Sequence, residues 1–453
     1  MNMNARIDIQ PKPATNLWGS NVSVDLRDST EKNTLVIDWK CIIKVLPSVK
    51  TDKLASDLIF VAAIVYALDK MVPRAKTHDR WTRHIAVKIP LRNPVPWKSV
   101  ATDFSSCVSF LTGDHWKISF SKSEWNYIRP SVTRSRLAEA KRLKAKAGNA
   151  VSLLSGGLDS FIGVINWLES NKAAPLLVVG HSDGDISGPR KDQTELFEIL
   201  NNSYPKRINQ IQIKIGLGSP GNESTYRSRS LVFLALATAV AKLNHPGADV
   251  LIPENGVIAL NYPLTASRRG SCSTRTVHPK FISKFQSILG RLGFTSSIKN
   301  PLEMSTKAEA VTSCQNQKLM IQGAPKSVSC ASGLASRAHW KDKSVRSCGR
   351  CVPCIFRRAS LHAVGQDNES YGFMAETFSN LDGNEPGNDM RDLAFFIRNR
   401  PNAEQIRREL VCGGVPVDEK LQNRVDLILR MQKEIIVWLK AKTTRQVQVL
   451  AGL

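Results

Sequence analysis

Long apolar runs are missing from this sequence. The longest, Leu231 to Ala241, is too short to cross a bilayer. Met1 to Ala14 carries neither an apolar core nor a cleavage-site pattern, so no secretory leader is expected. These absences predict a cytoplasmic chain with no membrane partner. Acidic residues are also scarce: 39 Asp and Glu face 63 Lys and Arg, a formal charge of +24. Such a charge attracts nucleotides, nucleic acid or an acidic protein, or it is simply a solvated basic surface. Aromatic residues make up only 7% and few interleave with the basic ones, which disfavours a surface that stacks single-stranded nucleic acid. Nine cysteines in a cytoplasmic chain argue for a metal site or free thiols rather than disulfides. At 453 residues the chain is long enough for two or three domains.

The most informative stretch is Val151-Ser-Leu-Leu-Ser-Gly-Gly-Leu-Asp-Ser-Phe161. An apolar run from Ala150 to Leu154 reads as a short buried strand. It breaks at Ser155-Gly156-Gly157 and resumes with Phe161, Ile162, Val164, Ile165 and Leu168 at helical spacing. Two glycines let the backbone approach a ligand, and the amides of such a turn face the same point as the positive end of the helix dipole. Ser155 and Ser160 add hydroxyls. The alternative is an ordinary tight turn with polar residues. The spacing is not that of the Walker loop, which ends in Lys-Ser/Thr.

Around this turn the chain divides into three regions. Residues 1–147 read as an α+β accessory domain. Strands are predicted at 33–40, 84–91 and 116–120, and an amphipathic helix at 54–71. The segment 1–27 is polar, and Arg134 to Lys146 form a basic linker helix. From 148 to 375 strands and helices alternate, which predicts a parallel sheet. Its second strand, 175–180, runs into His181-Ser-Asp-Gly-Asp185, and ligands of such sheets sit beyond the strand C-termini. His181 is therefore placed near the turn, and Asp183 or Asp185 is a candidate Mg²⁺ ligand, with plain loop solvation as the alternative. Arg227 and Arg229 precede an apolar helix, where cations oppose the dipole unless an anion lies nearby. They are candidate anion clamps or a surface pair. Glu254 and Asn255, after the fourth strand, offer an acceptor and a mixed donor–acceptor to a substrate edge, or cap the next turn. Ser305 or Thr306 starts a helix with Lys307 in its first turn, poorly placed for helix stability and well placed for an anion. Residues 376–453 read as a helical packing element.

The strongest metal signal is Cys330 followed by Cys348-Gly-Arg-Cys351-Val-Pro-Cys354. Four thiolates at this spacing match a closed, structural zinc site, with an iron–sulfur cluster or free thiols as alternatives.

The SGG-x-DS turn resembles the signature of the PP-loop ATP pyrophosphatases. Combined with Arg229 before Leu231–Leu234, with Pro301-Leu302…Lys307-x-Glu309 and with C…CGxCxxC, the sequence resembles the QueC family of 7-cyano-7-deazaguanine synthases. The likeness runs from about 150 to about 358. It implies a doubly wound, HUP-like parallel sheet. It also implies an ATP-dependent ligase that adenylates the carboxylate of 7-carboxy-7-deazaguanine and lets an amine displace AMP. By that resemblance Ser155, Gly156, Gly157, Leu158, Asp159, Ser160 and His181 bind ATP, and Lys307, Arg229 and Asp159 serve catalysis. Glu254, Asn255 and Arg227 would face the substrate, with ATP, Mg²⁺ and Zn²⁺ as cofactors. The family is essentially single-domain, so the extra regions make this chain more like the QatC branch of bacterial anti-phage defence. That branch is associated with joining a deazaguanine to a partner protein. Use of the same chemistry on tRNA, or nucleotide sensing without turnover, are the alternative functions.

Overall fold

The computed structural model describes residues 3–5, 35–123, 126–128, 150–184, 188–218, 221–223, 225–265, 275–331, 345–377 and 388–453. The expected basic linker helix, Asp185, and most of segments 1–27 and 376–387 lie outside the described residues.

The fold is α/β, with nine strands in two sheets among the described residues. The strands are β1 (Met3–Ala5), β2 (Leu35–Ile37), β3 (His84–Leu91), β4 (His115–Lys122), β5 (Ala150–Leu153), β6 (Leu176–Ser182), β7 (Ile208–Leu217), β8 (Asp249–Leu251) and β9 (Ile298–Lys299). The small sheet runs β1-β3-β4, all parallel. The large sheet runs β2-β7-β6-β5-β8-β9. Its five strands from β5 onward are parallel, as the alternation of strands and helices predicts. The sheet is nevertheless mixed: β2 is antiparallel to β7. Residues far N-terminal to the glycine turn thus supply an edge strand and cover backbone groups that β7 would otherwise expose. The order climbs from β5 through β6 to β7 on one side, then restarts with β8 and β9 on the other.

Both faces of the large sheet are buried, in different cores. Val151, Leu177 and Val179 join a core shared with the helices Lys53–Met71 and Arg229–Asn244 and with the small sheet. Ala150, Leu176 and Val178 point the other way, against Leu158–Ser170 and Pro189–Ser203. This period-2 division is what a strand buried on both faces requires.

Two local expectations need correction. The strand expected over 33–40 stops at Ile37, because the Asp38 side chain accepts the Cys41 amide hydrogen at 2.8 Å and caps a helix, Trp39–Val45. The helix Lys53–Met71 is buried on nearly every side rather than amphipathic. It lies among β2, β3, β7 and the equally buried Arg229–Asn244 helix, so no face meets water.

Two aspartates on that helix are satisfied from elsewhere. Asp57 accepts from the amides of Arg92 and Asn93 at 3.1 and 2.8 Å. Asp69 receives Arg83 at 2.5 Å and the Ser228 hydroxyl at 2.6 Å. Arg83 also reaches Asp114 at 2.6 Å, and Arg74 meets Asp114 at 2.7 Å. Both arginines and both aspartates are buried. This network bolts the small sheet to the start of the Arg229–Asn244 helix.

Residues 388–453 form four helices: Asn388–Asn399, Ala403–Cys412, Leu421–Lys442 and Arg445–Leu450. Their core includes Val257, Leu260, Ile355 and Phe356, so the helical element is packed onto the Val352–His362 helix and the chain beyond β8.

Arg83→Ala should cost about 3–5 kcal/mol, because it strands two buried carboxylates. Chemical denaturation checks this, and a loss below about 1 kcal/mol would mean that the network bears little of the fold's stability.

Candidate functional site

The turn after β5 ends in the helix Leu158–Ser170, with Gly157 at its N-cap. Gly156 has φ +93°, and a Cβ there would lie 3.0 Å from Asp192 Cβ, so the position admits glycine for two separate reasons. The serines organise the turn internally. Ser160 Oγ accepts from the Ser155 amide at 3.2 Å and donates to the Gly157 carbonyl at 2.9 Å. Ser155 is exposed and accepts from the Gly157 amide at 3.3 Å. Leu158 is buried and anchors the helix start.

Asp159 points inward and is buried. Lys307 Nζ donates to its Oδ1 at 2.6 Å, and Asn255 Nδ2 donates to its Oδ2 at 2.8 Å. Glu254 shares a side-chain hydrogen bond with the same carboxyl group. Residues distant in sequence meet because β5 and β8 are neighbours, so their C-terminal ends open onto one crevice. Asn300 steadies the far side, accepting from the Glu254 amide at 3.1 Å and donating to its carbonyl at 2.8 Å. Lys307 is held by the cap of its own short helix: Thr306 Oγ accepts from the Glu309 amide, and the Glu309 carboxylate accepts from the Thr306 amide.

Burial works against charge on Asp159, yet Lys307, Glu254 and Asn255 outweigh it and bring the carboxyl down to about 2. Burial and then the Asp159 anion push Glu254 well above the ordinary carboxylate range. One lysine balances one carboxylate, and the second carboxyl keeps its proton to bridge the first.

A second cluster stands at the end of β6. His181 is buried, with Nε2 2.7 Å from the Ile215 carbonyl and Nδ1 3.4 Å from Arg229 Nε. Burial, then the Arg229 charge, depress its pKa to about 4, so the ring is neutral, donating from Nε2 and accepting at Nδ1. The imidazole therefore orients Arg229 and does not point at the glycine turn. Arg229 also donates to the His181 carbonyl at 3.1 Å. Asp183 Oδ2 receives Lys70 and the Tyr66 hydroxyl, both at 2.6 Å, whereas its Oδ1 is buried without a hydrogen-bond partner. Arg227 does not join either cluster. It is buried against the Thr112 carbonyl at 3.0 Å and the Trp81 ring at 4.8 Å.

Four contributors have no motif in the sequence. Gln193 Nε2 donates to the carbonyls of Ser155, at 3.4 Å, and His181, at 3.0 Å, tying the two clusters together. Tyr66 and Lys70 stand four apart on the buried helix, and this helical spacing of polar groups in an apolar run was the available signal. The fourth is Glu434, on the Leu421–Lys442 helix, which accepts from the Thr306 hydroxyl. It lines a small cavity with Asn255, Lys307, Phe356 and Met431. Burial chiefly, then the nearby Glu309 charge, raise its pKa to about 7.

The sulfurs of Cys330, Cys348, Cys351 and Cys354 lie within 4.8 Å of one another. Cys348 and Cys354 are 3.8 Å apart, and Cys351 and Cys330 are 4.0 Å apart. A tetrahedron with Zn–S bonds of about 2.3 Å has edges of about 3.8 Å, so the thiols fit a zinc ion. Amides of Cys348 and Cys351 donate to the sulfurs of Cys330 and Cys348 at 3.4 and 3.3 Å, as thiolate ligands require. With four sulfurs the shell is closed, which suits a structural ion.

No helix among the described residues is long and apolar enough to cross a membrane. Compared with protein-family models, with curated proteins and with solved structures, the chain matches none.

Two outcomes follow from this geometry. Purified protein should carry one zinc per chain, and Cys351→Ser should lose it together with several degrees of melting temperature; metal analysis that finds none in the native protein would refute the site. For Glu434, a folded-state pKa raised to about 7 means a stability contribution fully present below about 4.5 and lost as pH rises through about 7. The melting temperature of Glu434→Gln should therefore gain on the native protein between about pH 5.5 and 8, and a constant gap across that range would count against the raised pKa.

Proposed function

We propose that the chain is an ATP-dependent carbon–nitrogen ligase of the QueC type on a doubly wound PP-loop domain. It adenylates the carboxylate of a 7-deazaguanine, releasing pyrophosphate, and passes the acyl group to an amine. The observation that carries this reading is the meeting of Asp159, Lys307, Glu254 and Asn255 directly behind the SGG turn. A phosphate-binding turn alone serves many ligands. A lysine at its floor, balanced by a carboxylate, suits a reaction in which negative charge builds on a leaving pyrophosphate.

In this reading the turn amides and the Ser155 hydroxyl cradle phosphate oxygens. Lys307 faces the departing charge from below, and Arg229, oriented by His181, faces it from the β6 side. Asp183 would hold Mg²⁺ through its unpartnered Oδ1, and the ion would neutralise phosphate charge. Asn255 and protonated Glu254 present donors to the activated carboxylate. The acceptor amine belongs to a partner protein, as in the Qat-like branch. Trp81 and Tyr226 are exposed where the N-terminal region meets the β6 end, with Arg227 and Lys70 beside their rings. An acidic partner suits the chain's formal charge of +24.

The test uses the full chain with ATP and 7-carboxy-7-deazaguanine, following carboxylate-dependent pyrophosphate release. Gly157→Ala leaves φ at −90°, and its methyl would meet Ser155 Oγ at an ordinary 3.4 Å, so the fold is retained while a side chain is placed beside the turn amides that would take phosphate. Release should fall about 10²-fold in this variant. Equal rates in native and variant protein, or no dependence on the carboxylate, would reject the assignment.

A further inference from the structure

The Leu421–Lys442 helix does more than pack. Two of its residues, one turn apart, grip the start of the Lys307 helix. Arg430 pairs with Glu309 at 2.5 Å and donates to the Met304 carbonyl at 2.9 Å, while Glu434 accepts from the Thr306 hydroxyl. The bonds to Glu309 and Thr306 end on the capping box that fixes Lys307. Glu434 also lines the cavity whose other polar walls are Asn255 and Lys307; Phe356, Met431 and Ile435 supply apolar wall. The space is about that of one water molecule, enough for the head of an amine and too small for a ring. Asn255 and Lys307 both bond to Asp159, so the cavity backs directly onto the proposed centre.

The charges facing Glu434 are those of Lys307 across the cavity and of Arg430 and Glu309 beside it, with Asp159 behind Lys307. Arg430 and Glu309 cancel, as do Lys307 and Asp159. What remains is a single carboxyl group at the edge of a hole with Asn255 and Lys307 on one wall and apolar side chains on the other, where an ammonium that gives its proton to the carboxylate is favoured as a neutral amine.

We propose that Glu434 is the general base for the acceptor amine, so that the C-terminal helical element completes the active site. The inference rests on the ligase reading above. An acceptor entering as R–NH₃⁺ gives one proton to the Glu434 carboxylate. The freed lone pair attacks the acyl carbon and forms the C–N bond. The C–O bond to the adenylate phosphate breaks, and AMP leaves with its electron pair. The second nitrogen proton passes to solvent as the amide forms, and Glu434 then releases the proton it took to solvent, which restores its carboxylate. A base serving this step should have its pKa close to the working pH, and the raised value of about 7 meets that requirement.

The experiment separates the two half-reactions in the full-length protein, with ATP and 7-carboxy-7-deazaguanine. Carboxylate-dependent ATP–pyrophosphate exchange reads the first. Product formation with ammonium or glycinamide, which need a base, and with hydroxylamine, which is already largely neutral at about pH 7, reads the second. In Glu434→Gln, product from ammonium and glycinamide should fall about 10²-fold, with hydroxylamine far less affected and exchange persisting. The native rate with ammonium should climb with one ionisation near about pH 7 and then level, whereas in the variant it should keep rising with the free amine through about pH 8. Thr306→Val, which keeps the carboxyl, should retain the native profile, whereas a merely structural bond would be lost equally in both variants. Equal losses with all amines, or an unchanged pH profile, would overturn the role of Glu434 while leaving the ligase reading intact. Absence of carboxylate-dependent exchange in the native protein would overturn both.

Discussion

The buried pair of Asp159 and Lys307 is the constraint on which the rest of this structure depends. Removing either charge from water costs several kcal/mol, and the cost is recovered only if the partner is held at contact with its remaining hydrogen bonds satisfied. Here the partners lie 148 positions apart, at 2.6 Å. Asn255 completes the carboxylate, and Glu254 joins as a neutral acid because a second anion has no cation to balance it. Each of the three contributing segments is a chain end of another element: the helix after β5, the loop after β8, the cap before the Lys307 helix. Their meeting is a property of the sheet order, because only β5 and β8, neighbours made by the return of the chain across the sheet, bring those ends together.

What was legible in the sequence is what depends on near neighbours in the chain. The glycine turn, the alternation of strands and helices, the cap at Thr306 and the cysteine spacing each express local geometry. The antiparallel β2 edge was not legible, because Asp38 ends that strand by capping a helix, and alternation through Leu35, Ile37 and Trp39 looks the same either way. Nor was the burial of Lys53–Met71: an apolar helix flanked by polar residues reads as one-sided until the second helix that covers it is known. Arg227 and Arg229 have equal claims in sequence as anion clamps. The structure separates them because a helix start puts residues two apart on different sides, so Arg229 meets His181 and Arg227 meets Trp81. Glu434 had no sequence signal at all. It is one acidic residue on a helix of mixed charge, and only the packing of that helix on Thr306 gives it a place.

The elements on either side of the turn are consequently not independent of it. Lys70 and Tyr66 reach from the N-terminal region to Asp183, and Gln193 carries that cluster's position to the turn through the carbonyls of His181 and Ser155. On the opposite side, Arg358 pairs with Asp367 at 3.1 Å, and Asp367 also accepts from Trp438 on the Leu421–Lys442 helix at 3.1 Å. The helix that starts at the cysteine cluster is thereby joined to the helix that carries Glu434.

The cysteine cluster stands at the head of this second chain of contacts. Cys351 caps the Val352–His362 helix, which lends Phe356 and Ala359 to the cavity wall and Arg357 to Ser327 at 2.8 Å. One residue further on, the Val328 amide donates to the Gly156 carbonyl at 2.8 Å, inside the glycine turn itself. A closed zinc shell stabilises its own loop by on the order of 10 kcal/mol, far more than any single hydrogen bond in the series. Bound there, zinc would fix the Val352–His362 helix at one end and the approach to Gly156 at the other. The metal would then act at a distance, through the backbone, on the turn and on the cavity beside Lys307. A structural ion suits that role because its bonds are strong and directional, and its closed shell keeps it out of the chemistry.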